Sequence, residues 1–286
     1  MTRICFVTCR TWPEISASDA LVARALEGRG ASVAARSWND GDASFRGFDA
    51  VVLRSNWDYH RDPAGFRDWL ARLEADGARV FNPPDLVRWN VSKRYLQELG
   101  EAGVPTVPTV CLGAEAPDTL AETMAAHGWS AVVIKPEIGA SAHGARLVTA
   151  ATVEEAVATL RSGETRAPML VQPFVEEIGT RGEWSLIFIA GAFTHAVLKR
   201  PAAGEFRVQA QHGGSVRSAT PPDAVLAVGR AALAALPRPP LYARIDGVEA
   251  REGFLIMEVE VNEPGLFFTY HEPAAERFAE AIVQAI

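Results

Sequence analysis

Short apolar runs alternate with helically spaced apolar residues along the first third of the chain. Apolar runs over 4–8, 32–35 and 48–54 predict strands, whereas the three- and four-residue spacing over 18–28 and 66–73 predicts amphipathic helices. Alternation of this kind is typical of an open sheet with helices packed on it. We therefore expect a small α/β domain at the N-terminus.

A second pattern begins after Pro105. Further strands are expected over 129–136, 148–152, 169–175, 186–189 and 193–198. Pro173 has no N–H to donate, so it should lie at a sheet edge or a strand end. Thr152 and Glu155 fit a capping box that opens the next helix. A helix over 224–236 precedes an antiparallel hairpin over 242–264.

Composition narrows the class of protein. The chain has 286 residues, 48% of them hydrophobic, and a formal net charge of −7, so nucleic acid is not an expected partner. Its three cysteines, Cys5, Cys9 and Cys111, are too few for a disulfide framework. The first apolar run is too short for a signal peptide or a membrane span. We expect a cytoplasmic protein without a membrane partner.

The hairpin over 242–264 carries the most chemistry. Alternation along a strand places Arg244 and Asp246 on one face, and Glu258, Glu260 and Asn262 on the same face of the returning strand. Oxygen ligands of this kind suit Mg²⁺, and an Arg beside them could neutralise a transferring phosphoryl group. An ordinary solvated sheet face is the alternative. The opposite, apolar face is expected to comprise Met257, Val259 and Val261.

Loops that leave parallel strands are a second source of candidates, because ligands favour the carboxyl ends of strands in open sheets. The candidates for substrate contact there are Arg10, Arg54, Ser55, Trp57 and Asp58. A loop packed by its own Trp and Tyr is the alternative.

Two lysines and a small-residue loop could bind phosphate. Lys135 ends an apolar strand, and the loop over 137–146 lets backbone N–H groups approach an anion, although such a loop is as often a plain turn. Lys93 is expected in the first turn of a helix capped by Asn90 or Ser92, where it opposes the helix dipole.

A strand end and an acidic residue could bind a nucleoside. The end of the strand over 172–175 could hydrogen-bond an adenine edge, and Glu183 could accept from ribose hydroxyls. The same residues are also compatible with an acidic turn on the surface that binds no ligand. The polar segment over 205–214 could cover such a site.

The order of these features resembles the ATP-grasp ligases over essentially the whole chain. The features that carry the resemblance are Lys93, Lys135-Pro136, the small-residue loop, Gln172-Pro173-Phe174-Val175, Glu183, Lys199-Arg200, Arg244-Ile245-Asp246 and Glu260-Val261-Asn262. The final Arg-x-Asp and Glu-x-Asn pair is the most specific part. The resemblance implies an ATP-grasp fold of the α/β (α+β) class, with an N-terminal domain over 1–90, a central lobe over 91–172 and a C-terminal lobe over 173–286.

Two smaller segments resemble particular branches. The segment over 205–214 resembles the glutathione synthetase and ribosomal-protein glutamate ligase branch, and 54–59 with 88–96 are most similar to cycloserine-forming O-ureido-serine cyclo-ligases. Two departures from the branch pattern are Pro173, where relatives often have an acidic or amide residue, and Ser185, where they often have Arg.

The resemblance implies a role for each matching residue, with ATP and Mg²⁺ as cofactors. The nucleotide would be bound by Lys93, Lys135, Gly139, Ser141, Gln172, Pro173, Phe174, Val175, Glu183 and Lys199. The metal would be held by Asp246, Glu260 and Asn262. Arg244 would be catalytic. The substrate would contact Arg10, Arg54, Ser55, Trp57, Asp58, Arg200, Arg207 and Gly214.

The implied activity is formation of a carbon–nitrogen bond through an acyl phosphate, from small amino-acid-like carboxylate and amine substrates. Cyclisation of one substrate and joining of an amino acid to another amino acid or a peptide both stay open, as does a homodimer. A nucleotide-binding regulator without catalysis is the competing class. A nicotinamide oxidoreductase is disfavoured because no G-x-G-x-x-G follows the first strand.

Overall fold

The computed structural model describes residues 1–162 and 167–286. Its N-terminal sheet is parallel, with the strand order β2-β1-β3-β4. The strands are β1 (Arg3–Thr8), β2 (Ser32–Ser37), β3 (Ala50–Leu53) and β4 (Val80–Phe81). The helices are α1 (Ala17–Glu27) and α2 (Pro63–Ala75). Cys5 and Cys9 are buried in this domain, and all three cysteines are free. The expected open α/β domain is confirmed.

A second, antiparallel sheet has the order β5-β8-β6-β7. Two helices, α3 (Pro84–Val91) and α4 (Tyr95–Glu101), lead into it. Its elements are β5 (Val110–Leu112), α5 (Thr119–Ala126), β6 (Ala131–Pro136), β7 (Arg146–Thr149), α6 (Val153–Arg161) and β8 (Met169–Pro173). Pro173 ends an interior strand, as the alternative of a strand end predicts.

The capping box expected at Thr152 is wrong. Helix α6 begins at Val153, but the Thr152 side chain makes no hydrogen bond to the first turn of the helix. Its hydroxyl instead accepts from the N–H of Thr149 at 3.0 Å, so it stabilises the preceding turn.

The third sheet is antiparallel, with the order β11-β10-β9-β12-β13. Its elements are α7 (Glu177–Arg181), β9 (Glu183–Ile189), β10 (Ala192–Arg200), β11 (Ser215–Ser218), α8 (Asp223–Ala234), β12 (Tyr242–Ala250), β13 (Gly253–Glu260) and α9 (Pro273–Ala285). The last helix returns to the first domain, since Phe278 and Ile282 share one apolar core with Val22 and Leu26 of α1. Within the described ranges, no helix has both the length and the apolar character needed to cross a bilayer.

Side chains from the first part of the chain satisfy the free edge of β13. The side chain of Asn90 donates to the carbonyl of Val259 at 2.7 Å and accepts from the N–H of Val261 at 3.0 Å. The hydroxyl of Tyr95 accepts from the N–H of Val259, and Asn82 donates to the carbonyl of Val261. Because buried backbone groups need partners, these contacts hold the hairpin in a fixed place.

Candidate active site

The register of the hairpin brings four charged residues onto one face. Arg244 lies opposite Glu260, and Asp246 lies opposite Glu258, across the β12 and β13 strands. The shared face expected from alternation is therefore confirmed for these four residues. A β-bulge follows immediately, because the next pair along the ladder is Gly247 with Ile256.

The bulge corrects the expected position of Met257. Since Ile256 takes the partner position in the ladder, Met257 lines the same cavity as Glu258, whereas Val259 and Val261 are buried in the core as expected. An inserted residue shifts the alternation of faces, which a strict two-residue period cannot anticipate.

Asp246 is the most connected carboxylate of this face. The guanidinium of Arg244 donates to it at 2.9 Å, the ammonium of Lys199 at 3.3 Å and the hydroxyl of Ser185 at 2.6 Å. Burial opposes ionisation, but Arg244 and Lys199 outweigh it and lower the pKa of Asp246 to about 2. Arg244 also pairs with Glu260. Hydrogen bonds from β9, β10 and β12 therefore hold Asp246 in its ionised form.

Lys93 occupies a different local structure from the one expected. It lies in a turn between α3 and α4 rather than in the first turn of a capped helix, and Ser92 ends α3. Its ammonium donates to Glu258 at 2.6 Å and to the carbonyl of Gly139 at 2.9 Å. Burial disfavours its charge, but Glu258 more than compensates and raises the pKa of Lys93. Lys93 is thus the partner of Glu258, which the sequence alone did not identify.

A cavity of about 340 Å³ collects most of the candidate residues. The predicted residues that line it are Trp57, Lys93, Lys135, Gly139, Ser141, Gln172, Pro173, Phe174, Val175, Glu183, Lys199, Arg207, Arg244, Asp246 and Glu260. Residues from all three sheets and their connections thus face one space, as the family resemblance requires.

Lys135 differs from its neighbours in the cavity. No carboxylate lies within 4.0 Å of its ammonium in the part of the chain that the structure describes, whereas Lys93 and Lys199 are paired. Burial lowers the pKa of Lys135, against the opposing effect of Glu258. An anion entering the cavity would find this cation available.

Two loops meet over the cavity. The small-residue loop after β6 has left-handed backbone at Ser141 and Gly144, and the carbonyl of Ser141 accepts from the Gln211 side chain at 3.3 Å. Arg207 and its neighbours in the segment over 205–214 also line the cavity, so this segment borders the site. Gly214 itself is outside the lining. A Cβ there would lie 2.0 Å from the carbonyl oxygen of Val208, so this close approach requires glycine.

Several predicted substrate contacts lie elsewhere. Arg54 is 2% exposed and pairs with Asp19 at 2.9 Å inside the N-terminal domain. Asp58 accepts from the Trp38 indole at 2.7 Å, which fixes its loop. Ser55 is buried, whereas Arg10 and Arg200 are exposed, and none of the three lines the cavity. The preference of ligands for the carboxyl ends of strands identifies the loops that could bind, but it does not determine the direction of each side chain.

Asn262 lies behind the cavity rather than in its lining. Its side-chain oxygen accepts from the Asn56 amide at 2.9 Å, and its own Nδ2 is buried without a hydrogen-bond partner in residues 1–162 and 167–286. Asn56 likewise has a buried oxygen without a partner. Rotation of both amides by 180° would keep one hydrogen bond and place the oxygen of Asn262 where its unpartnered nitrogen now lies.

The sequence interpretation missed two residues of this site. Ser185, noted only as a departure from an Arg, donates to Asp246. Glu263 lines the cavity, and burial together with Glu260 raises its pKa to about 8. Strand alternation would turn Glu263 away from Glu260, but β13 ends at Glu260 and the alternation stops there. The position of Glu263 directly after Glu260-Val261-Asn262 was the sequence signal that could have identified it as a site residue.

Comparisons with known proteins agree with this arrangement. The model of a family described as D-cycloserine synthetase DcsG, N-terminal domain, matches residues 4–82. The cycloserine biosynthesis protein DcsG of Streptomyces lavendulae is 32% identical over 265 residues, which cover 87% of each chain. The crystal structure of D-cycloserine synthetase DcsG matches with a TM-score of 0.87 and 27% identity, covering 99% of each chain. A glutathione synthetase of Ralstonia nicotianae is 30% identical over 60% of this chain and 51% of its own.

The fold and the site define an ATP-grasp ligase, an enzyme that forms carbon–nitrogen bonds. Within that class, the chain belongs to the family of the cycloserine biosynthesis protein DcsG. The expectations of fold and enzyme class are thereby confirmed, and the glutathione synthetase alternative is supported only weakly.

Proposed function

We propose that the chain closes an amino-acid-like substrate into a ring by forming an amide bond at the expense of ATP, in an antibiotic-forming pathway of the cytoplasm. The observation that carries the proposal is the shared cavity, in which Arg244 and its carboxylates face the same space as the unpaired Lys135. The similarity to the cycloserine biosynthesis protein DcsG over most of both chains supports the proposal. The resemblance of 54–59 and 88–96 to O-ureido-serine cyclo-ligases implies a substrate of the O-ureido-serine type.

The nucleotide is assigned to the side of the cavity formed by β6, β8 and the small-residue loop. The segment Gln172–Val175 would contact adenine, Glu183 the ribose, and Lys135 the phosphates. The side chain of Gln172 donates a 2.8 Å hydrogen bond to Thr109, and the N–H of Phe174 donates to the carbonyl of Ala131. The segment Gln172–Val175 is therefore rigid before a nucleotide binds, which reduces the entropy cost of ordering it on binding.

The carboxylates of the hairpin fit Mg²⁺. Carboxylate oxygens of Asp246, Glu258 and Glu260 lie within 4.8 Å of one another, and hard oxygen donors are what this ion prefers. Asp246, Glu260 and Asn262 are the proposed ligands; for Asn262 this requires the rotated amide, which turns its oxygen to the position where the unpartnered nitrogen now lies. When bound, the ion would offset negative charge on the phosphates.

The reaction needs positioning and charge neutralisation rather than a covalent enzyme nucleophile. A substrate carboxylate oxygen attacks the γ-phosphorus of ATP, ADP departs, and an acyl phosphate forms. The substrate nitrogen then attacks the carbonyl carbon, loses a proton and expels inorganic phosphate. Arg244, held by Asp246 and by the carbonyl of Gly265 at 3.2 Å, would stabilise the charge that develops.

Substrate-dependent ADP release tests the proposal. The purified chain is incubated with Mg²⁺ and ATP against both enantiomers of O-ureido-serine and against a panel of other carboxylate and amine pairs. Cyclisation predicts ADP from the single substrate and a product mass lower than that substrate. A condensed adduct would favour the peptide-joining alternative. No ADP or phosphate across the panel would favour the non-catalytic regulator.

A further inference from the structure

Each charged side chain that lines the cavity has an oppositely charged partner, with two exceptions among the described residues. Lys93 pairs with Glu258, Lys199 with Glu183 and Asp246, Arg244 with Asp246 and Glu260, and Arg207 with Glu205. Among the cavity's Asp, Glu, Lys and Arg side chains in residues 1–162 and 167–286, this leaves Lys135 and Glu263 without an oppositely charged partner within 4.0 Å.

Glu263 is a buried group that faces the cavity. It is 7% exposed, and its carboxylate has no hydrogen-bond partner among the described residues. Its main chain is held in place, because its carbonyl accepts from the indole N–H of Trp57 at 3.0 Å. A buried carboxyl without a partner is costly to ionise, so its position at the cavity wall points to a cation that arrives with a ligand.

The surroundings of Glu263 suit an organic cation. Trp57, whose indole donates to the carbonyl of Glu263, lines the same cavity, and aromatic faces attract ammonium groups. The carboxylates that come within metal-binding distance of one another are Asp246, Glu258 and Glu260, and Glu263 is outside that group. Glu263 also lies just after β13, the strand paired with the one that bears Arg244, the residue proposed to stabilise the developing charge.

We propose that Glu263 binds the ammonium group of the amino-acid-like substrate. The two ionisable groups of the cavity that have no oppositely charged partner among the described residues would then meet the two reactants, Lys135 the phosphates and Glu263 the ammonium. The inference rests on the proposed function, because it specifies the substrate of that site. It selects carboxylic acids that also carry an ammonium group over otherwise identical acids without one.

Calorimetric binding, which needs no turnover, tests this selection. The chain is loaded with Mg²⁺ and a non-hydrolysable ATP analogue, then titrated with O-ureido-serine of either hand or with 3-(ureidooxy)propanoate, which lacks the amine. The wild type should bind the amine-bearing compound at least about tenfold more tightly, as expected for a charge-assisted contact. Glu263→Gln should lose about that factor for the amine-bearing compound alone, and Glu263→Asp should recover part of it.

The controls separate this inference from its alternatives. Glu252→Gln removes an exposed carboxylate at the turn of the same hairpin and should leave both affinities unchanged. Equal binding of the two compounds by the wild type, an equal loss of both in Glu263→Gln, or a loss of Mg²⁺ affinity instead would overturn the inference. So would a wild type that binds no ammonium-bearing acid of the wider panel. Failure of the proposed function is a different result, namely no ADP from acids of either kind.

Discussion

The hydroxyl of Ser185 donates a 2.6 Å hydrogen bond to Oδ1 of Asp246, its partner in the ladder between β9 and β12. A hydrogen bond to a charged group contributes about 1.5–3 kcal/mol, and here it orients a proposed metal ligand. Ser185→Ala should therefore raise the Mg²⁺ concentration for half-maximal ADP release by about tenfold. Ser218→Ala, which removes an exposed hydroxyl on β11, is the control. An unchanged Mg²⁺ requirement would remove Ser185 from the metal site.

Asp246→Ala and Glu260→Ala should each yield a folded protein that loses Mg²⁺-dependent turnover. The expected loss is at least about 100-fold, because each change removes a proposed metal ligand and a partner of Arg244. Circular dichroism checks the fold, and ADP release measures the activity. Glu252→Ala is the matched control on the same hairpin. Near-wild-type activity in either variant would contradict the site assignment.

Arg54 contributes to stability rather than to substrate contact. Its guanidinium pairs with Asp19 at 2.9 Å and donates to the carbonyl of Pro264 at 2.9 Å, with 2% of the residue exposed. Removal of one partner from a buried pair costs about 3–5 kcal/mol, and Arg54→Leu should lower the free energy of unfolding by that amount in urea titrations. Arg10→Leu removes an exposed cation and should change it by less than about 1 kcal/mol. Similar values for the two variants would refute the distinction.

His195 predicts a loss of stability in mild acid. Burial and the neighbouring His271 lower its pKa from 6.5 to about 4. Between these values the unfolded chain binds more protons than the folded protein, so the free energy of unfolding falls as pH drops from 6.5 towards 4. His195→Gln should show a shallower fall over this range, whereas His127→Gln, at an exposed position, should follow the wild type. Identical slopes for wild type and His195→Gln would contradict the account.

The sequence predicted the elements that obey a simple period and missed those that depart from one. The shared face of Arg244, Asp246, Glu258 and Glu260 follows from strand alternation, and the register confirms it. The predicted face of Met257 was wrong because a bulge breaks that alternation. Bulges depend on how strands pair, which local sequence does not encode strongly.

Long-range contacts account for the remaining differences. Arg54 is buried in a pair with Asp19, which is distant in the chain. Lys93 lies in a turn, and its ammonium group pairs with Glu258, which is also distant in the chain. Glu263 faces the cavity because the chain leaves β13 before it, where alternation no longer applies. None of these pairings has a local sequence signal, and tertiary contacts decide them.

The central claim is that a substrate carboxylate is activated as an acyl phosphate in this cavity. The most direct measurement uses a substrate whose carboxylate carries ¹⁸O, with mass spectrometry of the inorganic phosphate released during turnover. An acyl phosphate transfers one carboxylate oxygen to phosphorus, so the account predicts phosphate that contains one ¹⁸O atom. Unlabelled phosphate accompanying product formation would contradict it.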